Sequence, residues 1–494
     1  VGHAPVFALA DDLSGAAETA AVLMSPARPA RIVLSGPPYD AAPPVLVADL
    51  DTRHRPGVAG LVREALAWAA GRHVLVKIDS LLRGDVAATV HACLTTFAGP
   101  APVPVVLASA LPQAGRTVVD GVPLIHGIPL RETRTPDPAV GPAGGPTRAR
   151  RSQPGAVRAT VPATVPATEP ATVPATGSGA GPGTVAAALG EVPSAGVGLA
   201  TVRAGQAALR EALAETVAGG RVAVCDAETD ADLDTIVAAA LAGDPGTRLV
   251  GAAGLAAALG RTLNAAAGAA RPAGPPHSPG GGSPVPVTGS STGDTVSSLG
   301  GRWSPGPLLV VVGTAEPAAA EQARLLVAHG AVPVVLDAAD LHAVNPGTAA
   351  APCTAVGGRA AEPRDARGSN PVVGRLRRAL GGGVAVLTVR GTAPPALPAL
   401  LGRIVREAVG GTRADLVLTG GETARRVLDA LGVREMVPVG QVHHGAVHSR
   451  TPDGRSVVTR PGSFGGPDSL LRIAAHLRPR CFPRTGATID ERPT

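Results

Sequence analysis

Short apolar runs recur along this chain, and most of them end on a polar or charged cluster. Val6 to Ala10 runs into Asp11, Asp12 and Ser14; Val45 to Leu50 into Asp51 and Arg53; Val74 to Ile78 into Asp79, Ser80 and Arg83; Val105 to Ala108 into Ser109. Arg31 to Ser35 is a further run of the same kind. Runs this short and this continuously apolar read as strands buried on both faces. Between them, Ala16 to Met24 and Val58 to Ala70 carry helical patterns. The alternation predicts a parallel sheet covered by helices. Downstream the pattern repeats, with strands at Leu308 to Val312, Val332 to Leu336, Val384 to Val389 and Asp415 to Thr419, and helices at Ala318 to His329, Ala396 to Val409 and Ala424 to Leu431. The expected fold class is α/β: two three-layer α/β domains with largely parallel sheets. In open sheets of this class ligands bind outside the carboxyl ends of the strands, so the polar clusters point to one shared crevice.

Two tracts interrupt the pattern. From about 136 to 182 the chain is rich in Pro, Ala, Thr and Gly, with VPAT, VPAT, EPAT and VPAT in series across Val161 to Thr176, and reads as a disordered insertion. From 271 to 307 Gly, Ser and Pro dominate, the composition of an interdomain linker. The expected organisation is a first domain over 1–270 carrying the insertion, the linker over 271–307, a second domain over 308–480 and a tail over 481–494.

Composition removes several classes of function. Of the 44 Lys and Arg residues only Lys77 is a lysine, and Val76 precedes it, so a Walker A loop, which needs GK[ST], is excluded. A Schiff-base mechanism would fall on Lys77, and the HRD loop of a protein kinase is absent. Aromatic residues make up 1% of the chain, too few for base-stacking platforms. The net charge of +6 reflects arginines gathered at Arg131, Arg134, Arg148, Arg150, Arg151 and Arg158; it reads as solvated charge, and no nucleic-acid partner is expected. The four cysteines lack CxxC or zinc spacing, and no apolar run approaches the roughly 18 residues of a membrane span. A cytoplasmic protein with reduced thiols and no membrane partner is expected.

Several short segments concentrate chemistry. DDLSGA (Asp11 to Ala16) sets two adjacent carboxylates, a hydroxyl and a glycine at a strand-to-helix turn, where Asp12 or Ser14 would also serve as a plain helix cap. KIDSLLRG (Lys77 to Gly84) gathers a cation, a carboxylate, a hydroxyl and a guanidinium, with a solvated Lys77–Asp79 ion pair as the plainer alternative. Arg116 follows from a loop and is able to grip an anion bidentately. In LTGGETA, Gly420 and Gly421 let the backbone approach a phosphate, and Thr423 opens a helix whose N-terminal amides attract anions; a tight capped connection is the alternative. Gly462 and Gly465 form a second close-approach turn, and Phe464 reads as core.

Taken in order, ADDLSGA, KIDSLLRG, LPQAGRTVVDGVPL and ETRTPDP (Glu132 to Pro138) resemble the four-carbon acid sugar kinase family, whose substrate-binding domain carries ADDLTGA, K-x-DSTLRG, PAFP-x-x-GR and ET-x-x-x-DP. AVCDAETDADL (Ala223 to Leu233) and VGAAGLAAALG (Val250 to Gly260) are similar to the end of that domain. VVGTAEPAAAEQ (Val311 to Gln322), LVLTGGETA (Leu416 to Ala424) and TRPGSFGGPDSL (Thr459 to Leu470) resemble the family's Gly-Ser turn, TGG[DE]TA turn and K-x-G-x-FG segment. Leu81, Leu111, Thr314 and Arg460 depart from the family's Thr, Phe, Ser and Lys.

The resemblance implies ATP-dependent phosphorylation of a hydroxyl on a four-carbon acid sugar (threonate, erythronate or 3-oxo-tetronate), with ATP and Mg²⁺ required and closure of the two domains excluding water. It implies that Asp12 orients or deprotonates the acceptor, with Asp79 as runner-up. Asp11, Ser14, Lys77, Ser80, Arg83 and Arg116 would hold the acid; Thr314, Gly420, Gly421, Glu422, Thr423 and Gly462 the nucleotide. No metal ligand is named, and a homodimer is one compatible assembly. Leu81 and the insertion motivate an alternative, a sugar-acid or nucleotide binding regulator without catalysis.

Overall fold

The computed structural model describes residues 5–36, 43–69, 71–96, 103–133, 182–269, 306–313, 317–337, 370–391, 394–462 and 464–482. The insertion up to residue 181, the linker up to residue 305 and the tail beyond Phe482 lie outside the described residues. The strands are β1 (Val6–Ala10), β2 (Ala30–Val33), β3 (Val45–Asp49), β4 (His73–Lys77), β5 (Val105–Ala108), β6 (Arg116–Val119), β7 (Val122–Ile125), β8 (Ile128–Pro129), β9 (Ser194–Val197), β10 (Val222–Cys225), β11 (Arg248–Gly251), β12 (Leu308–Val312), β13 (Val332–Asp337), β14 (Val384–Arg390), β15 (Asp415–Thr419), β16 (Glu435–His443), β17 (Ala446–Arg450) and β18 (Ser456–Arg460).

Among the described residues β6, β7 and β8 form a small antiparallel sheet, and the others form one 15-stranded sheet in the order β13-β14-β12-β15-β18-β17-β16-β2-β3-β1-β4-β11-β5-β10-β9. The N-terminal half, β2 to β9, is parallel throughout. The C-terminal half is parallel from β13 to β18 and turns antiparallel at β17 and β16. The expected α/β class with a largely parallel sheet holds. The two halves are joined directly, however, by antiparallel pairing of β16 with β2, Glu435 opposite Val33 and Met436 opposite Ile32. The sequence reading missed this because β16 to β18 carry polar residues such as Gln441, His448 and Arg450 and break the apolar-run signature.

Parallel register brings the polar strand ends level. Ala10 stands opposite Asp49 on one side and Lys77 on the other, and Lys77 opposite Gly251. β1 and β12 each sit between strands that lead away in opposite directions, the switch points where such sheets bind ligands. Helix Leu13–Leu23 leaves β1 at this edge, starting earlier than its apolar pattern indicated because Asp12 caps it, accepting from the Gly15 amide at 2.9 Å. Ala16, Ala17 and Ala20 are fully buried, and their small side chains let this helix pack between helices Ala253–Ala269 and Gly421–Ala430 at the junction.

Three ion pairs reinforce the junction, among them Arg31 of β2 with Glu435 of β16 at 3.5 Å. Arg425 Nη1 donates to Asp49 Oδ2 at 3.0 Å, with the Asp49 side chain fully buried, and Arg426 Nη2 reaches Asp51 Oδ2 at 2.7 Å. No helix among the described residues is long and apolar enough to cross a membrane.

Burial holds the Asp49 carboxyl at about 7 despite the Arg425 guanidinium beside it. Between the ordinary carboxylate value of about 4 and that value, the native chain binds a proton that the unfolded chain has released, so this group makes stability fall as pH rises through the window. Asp49→Asn should flatten that part of the urea-unfolding stability profile. Arg425→Ala, which strips a buried carboxylate of its partner, should cost about 3 kcal/mol at pH 8 in the same assay.

Candidate active site

A cavity of about 700 Å³ opens where the strand ends of both halves meet. Its wall includes Asp11, Asp12, Ser14, Lys77, Asp79, Ser80, Arg83 and Arg116 from the first half, and Gly420, Gly421, Glu422, Thr423 and Gly462 from the second. Every residue assigned from sequence to catalysis, the acid or the nucleotide therefore lines it except Thr314, which lies outside the described residues; Gly465 and Ser109, also noted at turns and strand ends, do not line it.

At its centre is Arg53, which the sequence reading noted at a strand end without giving it a role. Its Nε donates to Asp11 Oδ2 at 2.8 Å, and its Nη2 to Asp11 Oδ1 and Asp12 Oδ1, both at 2.9 Å; Asp79 lies 3.7 Å away. Burial works against the Arg53 charge, but Asp11, Asp12 and Asp79 more than offset it, so its pKa is raised. Burial raises the Asp11 pKa even against that cation. The loop holding Arg53 is fixed by backbone bonds from Thr52 and Arg53 to the Asp11 carbonyl, and Asp51 takes a left-handed φ of 51° to make the turn.

Asp79 is saturated. It accepts from Arg83 Nε at 2.8 Å, Arg83 Nη2 at 2.7 Å and the Leu81 amide at 3.1 Å. Burial penalises its charge, yet Arg83, Arg53 and Lys77 hold its carboxyl well below the usual carboxylate range. Leu82, at φ 58°, is the turn that folds Arg83 back over Asp79. The plainer reading of Lys77 as a solvated partner of Asp79 does not hold: Lys77 is buried and its Nζ donates to the Ile78 carbonyl at 3.0 Å. Arg116 Nη1 donates to Ser80 Oγ, and Arg116 is the cavity arginine that has no carboxylate in ion-pair contact among the described residues. Burial lowers its pKa.

The second half presents a glycine turn. Gly420 has φ 93°, which favours glycine, and its amide donates to the Arg460 carbonyl at 2.9 Å. Helix Gly421–Ala430 begins at Gly421 rather than at Thr423 as expected, because Gly420 already serves as its N-cap. A Cβ on Gly421 would lie 2.3 Å from Asp12 Oδ2 and 3.1 Å from Ser14 Oγ. The amide-rich turn of one half and the carboxylate of the other are thus in van der Waals contact.

The loop after β18 forms the remaining wall. Arg460 is 1% exposed and spends its donors on Pro461 O, Gly462 O, Gln322 Oε1 and Ser469 Oγ, while Gln322 Nε2 holds the Gly465 and Gly466 carbonyls. Burial brings the Arg460 pKa down to about 10. Its role is to shape the loop from behind. Phe464, read as core from sequence, is half-buried at the cavity edge: it packs on Leu111, Ala252 and Ala253 of the first half, and the Arg116 guanidinium lies 5.9 Å from its ring centroid.

Comparison with known proteins matches both halves. A sugar-binding N-terminal domain family matches residues 6–144 and 184–259, and a nucleotide-binding C-terminal domain family matches residues 309–470. The chain is 29% identical over 481 residues to a D-threonate kinase of Cupriavidus necator, covering 94% of this chain and 95% of that protein. A D-threonate kinase of Salmonella typhimurium is 33% identical over 132 residues, 25% of this chain and 30% of that protein. Among solved structures, a Salmonella typhimurium LT2 protein under a provisional tRNA synthase label superposes with a TM-score of 0.63 at 17% identity, covering 96% of this chain and 99% of that one. A Haemophilus influenzae DUF1537 protein does so with 0.58 at 16% identity, covering 96% and 100%. Both share the fold.

Because the Gly421 Cα abuts Asp12 Oδ2, Gly421→Ala should force the two halves of the site apart. Steady-state kinetics should show kcat/KM falling about 100-fold, the scale of a misplacement of roughly 1 Å in a positioned site, with little change in the thermal unfolding midpoint. A near-normal kcat/KM would mean that the contact does not set the reacting geometry.

Proposed function

The chain belongs to the four-carbon acid sugar kinase family, and from that premise we propose that it transfers the γ-phosphoryl group of ATP to a hydroxyl of a threonate-like four-carbon acid, with Mg²⁺ assisting, in the cytoplasm. The observation that carries this reading is the contact of Asp12 with the Gly421 turn, which sets a carboxylate beside a backbone surface suited to phosphate. Phosphoryl transfer asks a protein mainly for positioning and charge neutralisation.

Asp12 is suited to be the base by its remaining valence. Its Oδ1 accepts from Gly15 and Arg53, while Oδ2 faces the turn. The acceptor hydroxyl gives its proton to Oδ2 as its oxygen bonds the γ-phosphorus, and the bond from that phosphorus to the bridging oxygen breaks to release ADP. Asp79, saturated and held ionised, is a positioning residue for Arg83 and Arg53. Arg116 takes the substrate carboxylate, and Asp11, Ser14, Lys77, Ser80 and Arg83 complete the acid site. Gly420, Gly421, Glu422, Thr423 and Gly462, with Thr314, hold the nucleotide.

Mg²⁺ supplies neutralisation of phosphate charge when bound. It needs only one or two carboxylates beside the phosphates, which fits a cavity whose described residues hold no cage of three ligands but place Glu422 next to the turn.

Incubating the protein with ATP, Mg²⁺ and a panel of four-carbon acids should release ADP with threonate-like acids. ATP bound with no turnover on any of them would instead support the non-catalytic regulator. Asp12→Asn should lower kcat by about 10³-fold with ATP affinity retained, as expected for loss of a general base. Substantial residual activity would move the role to Asp79.

A further inference from the structure

We propose that Glu18 determines acceptor specificity by receiving hydrogen bonds from hydroxyls of the substrate chain while Arg116 takes its carboxylate. This rests on the kinase reading above and deepens it. Glu18 stands one helical turn beyond Ser14 and so shares its face of helix Leu13–Leu23. It is 6% exposed, lines the cavity, and its Oε1 is buried with no hydrogen-bond partner among the described residues.

An ionised oxygen withdrawn from water is costly unless something donates to it. The neighbouring carboxylates all have donors: Asp11 has Arg53, Asp12 has Gly15 and Arg53, and Asp79 has Arg83. Arg116 feels the Glu18 charge but directs its hydrogen bond to Ser80. A carboxylate only accepts, so the ligand group that suits Glu18 is a hydroxyl. Glu18 repels a carboxylate and Arg116 attracts one, so the acid end of the substrate goes to Arg116 and a hydroxyl to Glu18. A site built to hydrogen-bond a hydroxyl also rejects an analogue that lacks it, because the site's own polar atom is then left unpaired.

The test compares kcat/KM for D-threonate with those for 3,4-dihydroxybutyrate and 2,4-dihydroxybutyrate, which each lack one hydroxyl. The wild-type chain should prefer D-threonate over at least one of them by about 100-fold. Glu18→Ala should lose about that factor on D-threonate while keeping its activity on that deoxy acid, which also reports that the variant is folded. Glu18→Gln, which retains an acceptor oxygen, should recover part of the loss. An unchanged preference, or an equal fall on every acid, overturns the proposal. Calorimetric titration with D-threonate separates the two readings. A wild-type chain that binds without turnover sinks the kinase reading alone, and the same ratios in binding constants then test Glu18. Failure of the wild-type chain to bind D-threonate overturns the Glu18 proposal, and failure to bind any four-carbon acid of the panel overturns both.

Discussion

Three carboxylates, Asp11, Asp12 and Asp79, converge at the ends of β1 and β4, and the Arg53 guanidinium reaches all of them. Like charges this close and this buried would take up protons rather than stay ionised. Arg53 opposes that tendency and does so unevenly, and the Asp11 pKa stays raised even beside it. Asp11 receives two of its hydrogen bonds and is fully engaged; Asp79 is handed on to Arg83; Asp12 gives up one oxygen and keeps the other turned toward the second half of the molecule. Three chemically identical side chains thus acquire distinct surroundings from one cation. The rest of the site is arranged around that division: the helix that Asp12 caps, the loop pinned to the Asp11 carbonyl, and the turn that sends Arg83 back.

The parts of this arrangement that were legible in the sequence are those written locally. Buried parallel strands are continuous apolar runs, so β1, β3, β4, β5, β12 and β15 stand out, and the polar residues that follow β1, β3 and β4 line the cavity. Arg53 carries only the mark of a strand end, with no role attached, and Asp49, inside its apolar run, carries none. Their roles come from register, which sets the end of β3 level with the ends of β1 and β4 and near helix Gly421–Ala430. The same holds for Glu18, which in sequence is one acid in an alanine-rich helix and becomes notable only once that helix is enclosed on its sides.

The family departures fall into two kinds when set in the structure. Leu81 lines the cavity, so the hydroxyl it replaces is one that a ligand would meet. Arg460 lies behind its loop, where a planar guanidinium can serve four acceptors at once; the shorter donor set of a lysine could not reproduce that pattern. The first change alters the surface offered to a substrate, the second the scaffold beneath it.

The direct pairing of β2 with β16 has a consequence for how this chain can be divided. Cutting it anywhere between the halves would leave two fragments, each ending its sheet on an open row of amides and carbonyls, with Asp49 stripped of its cation on one and Arg425 of its anion on the other. Such rims recruit foreign strands, and neither fragment would be expected to behave as an autonomous soluble module. What looks from composition like a pair of separable units tied by a tether is, in hydrogen-bonding terms, a single fabric with a seam.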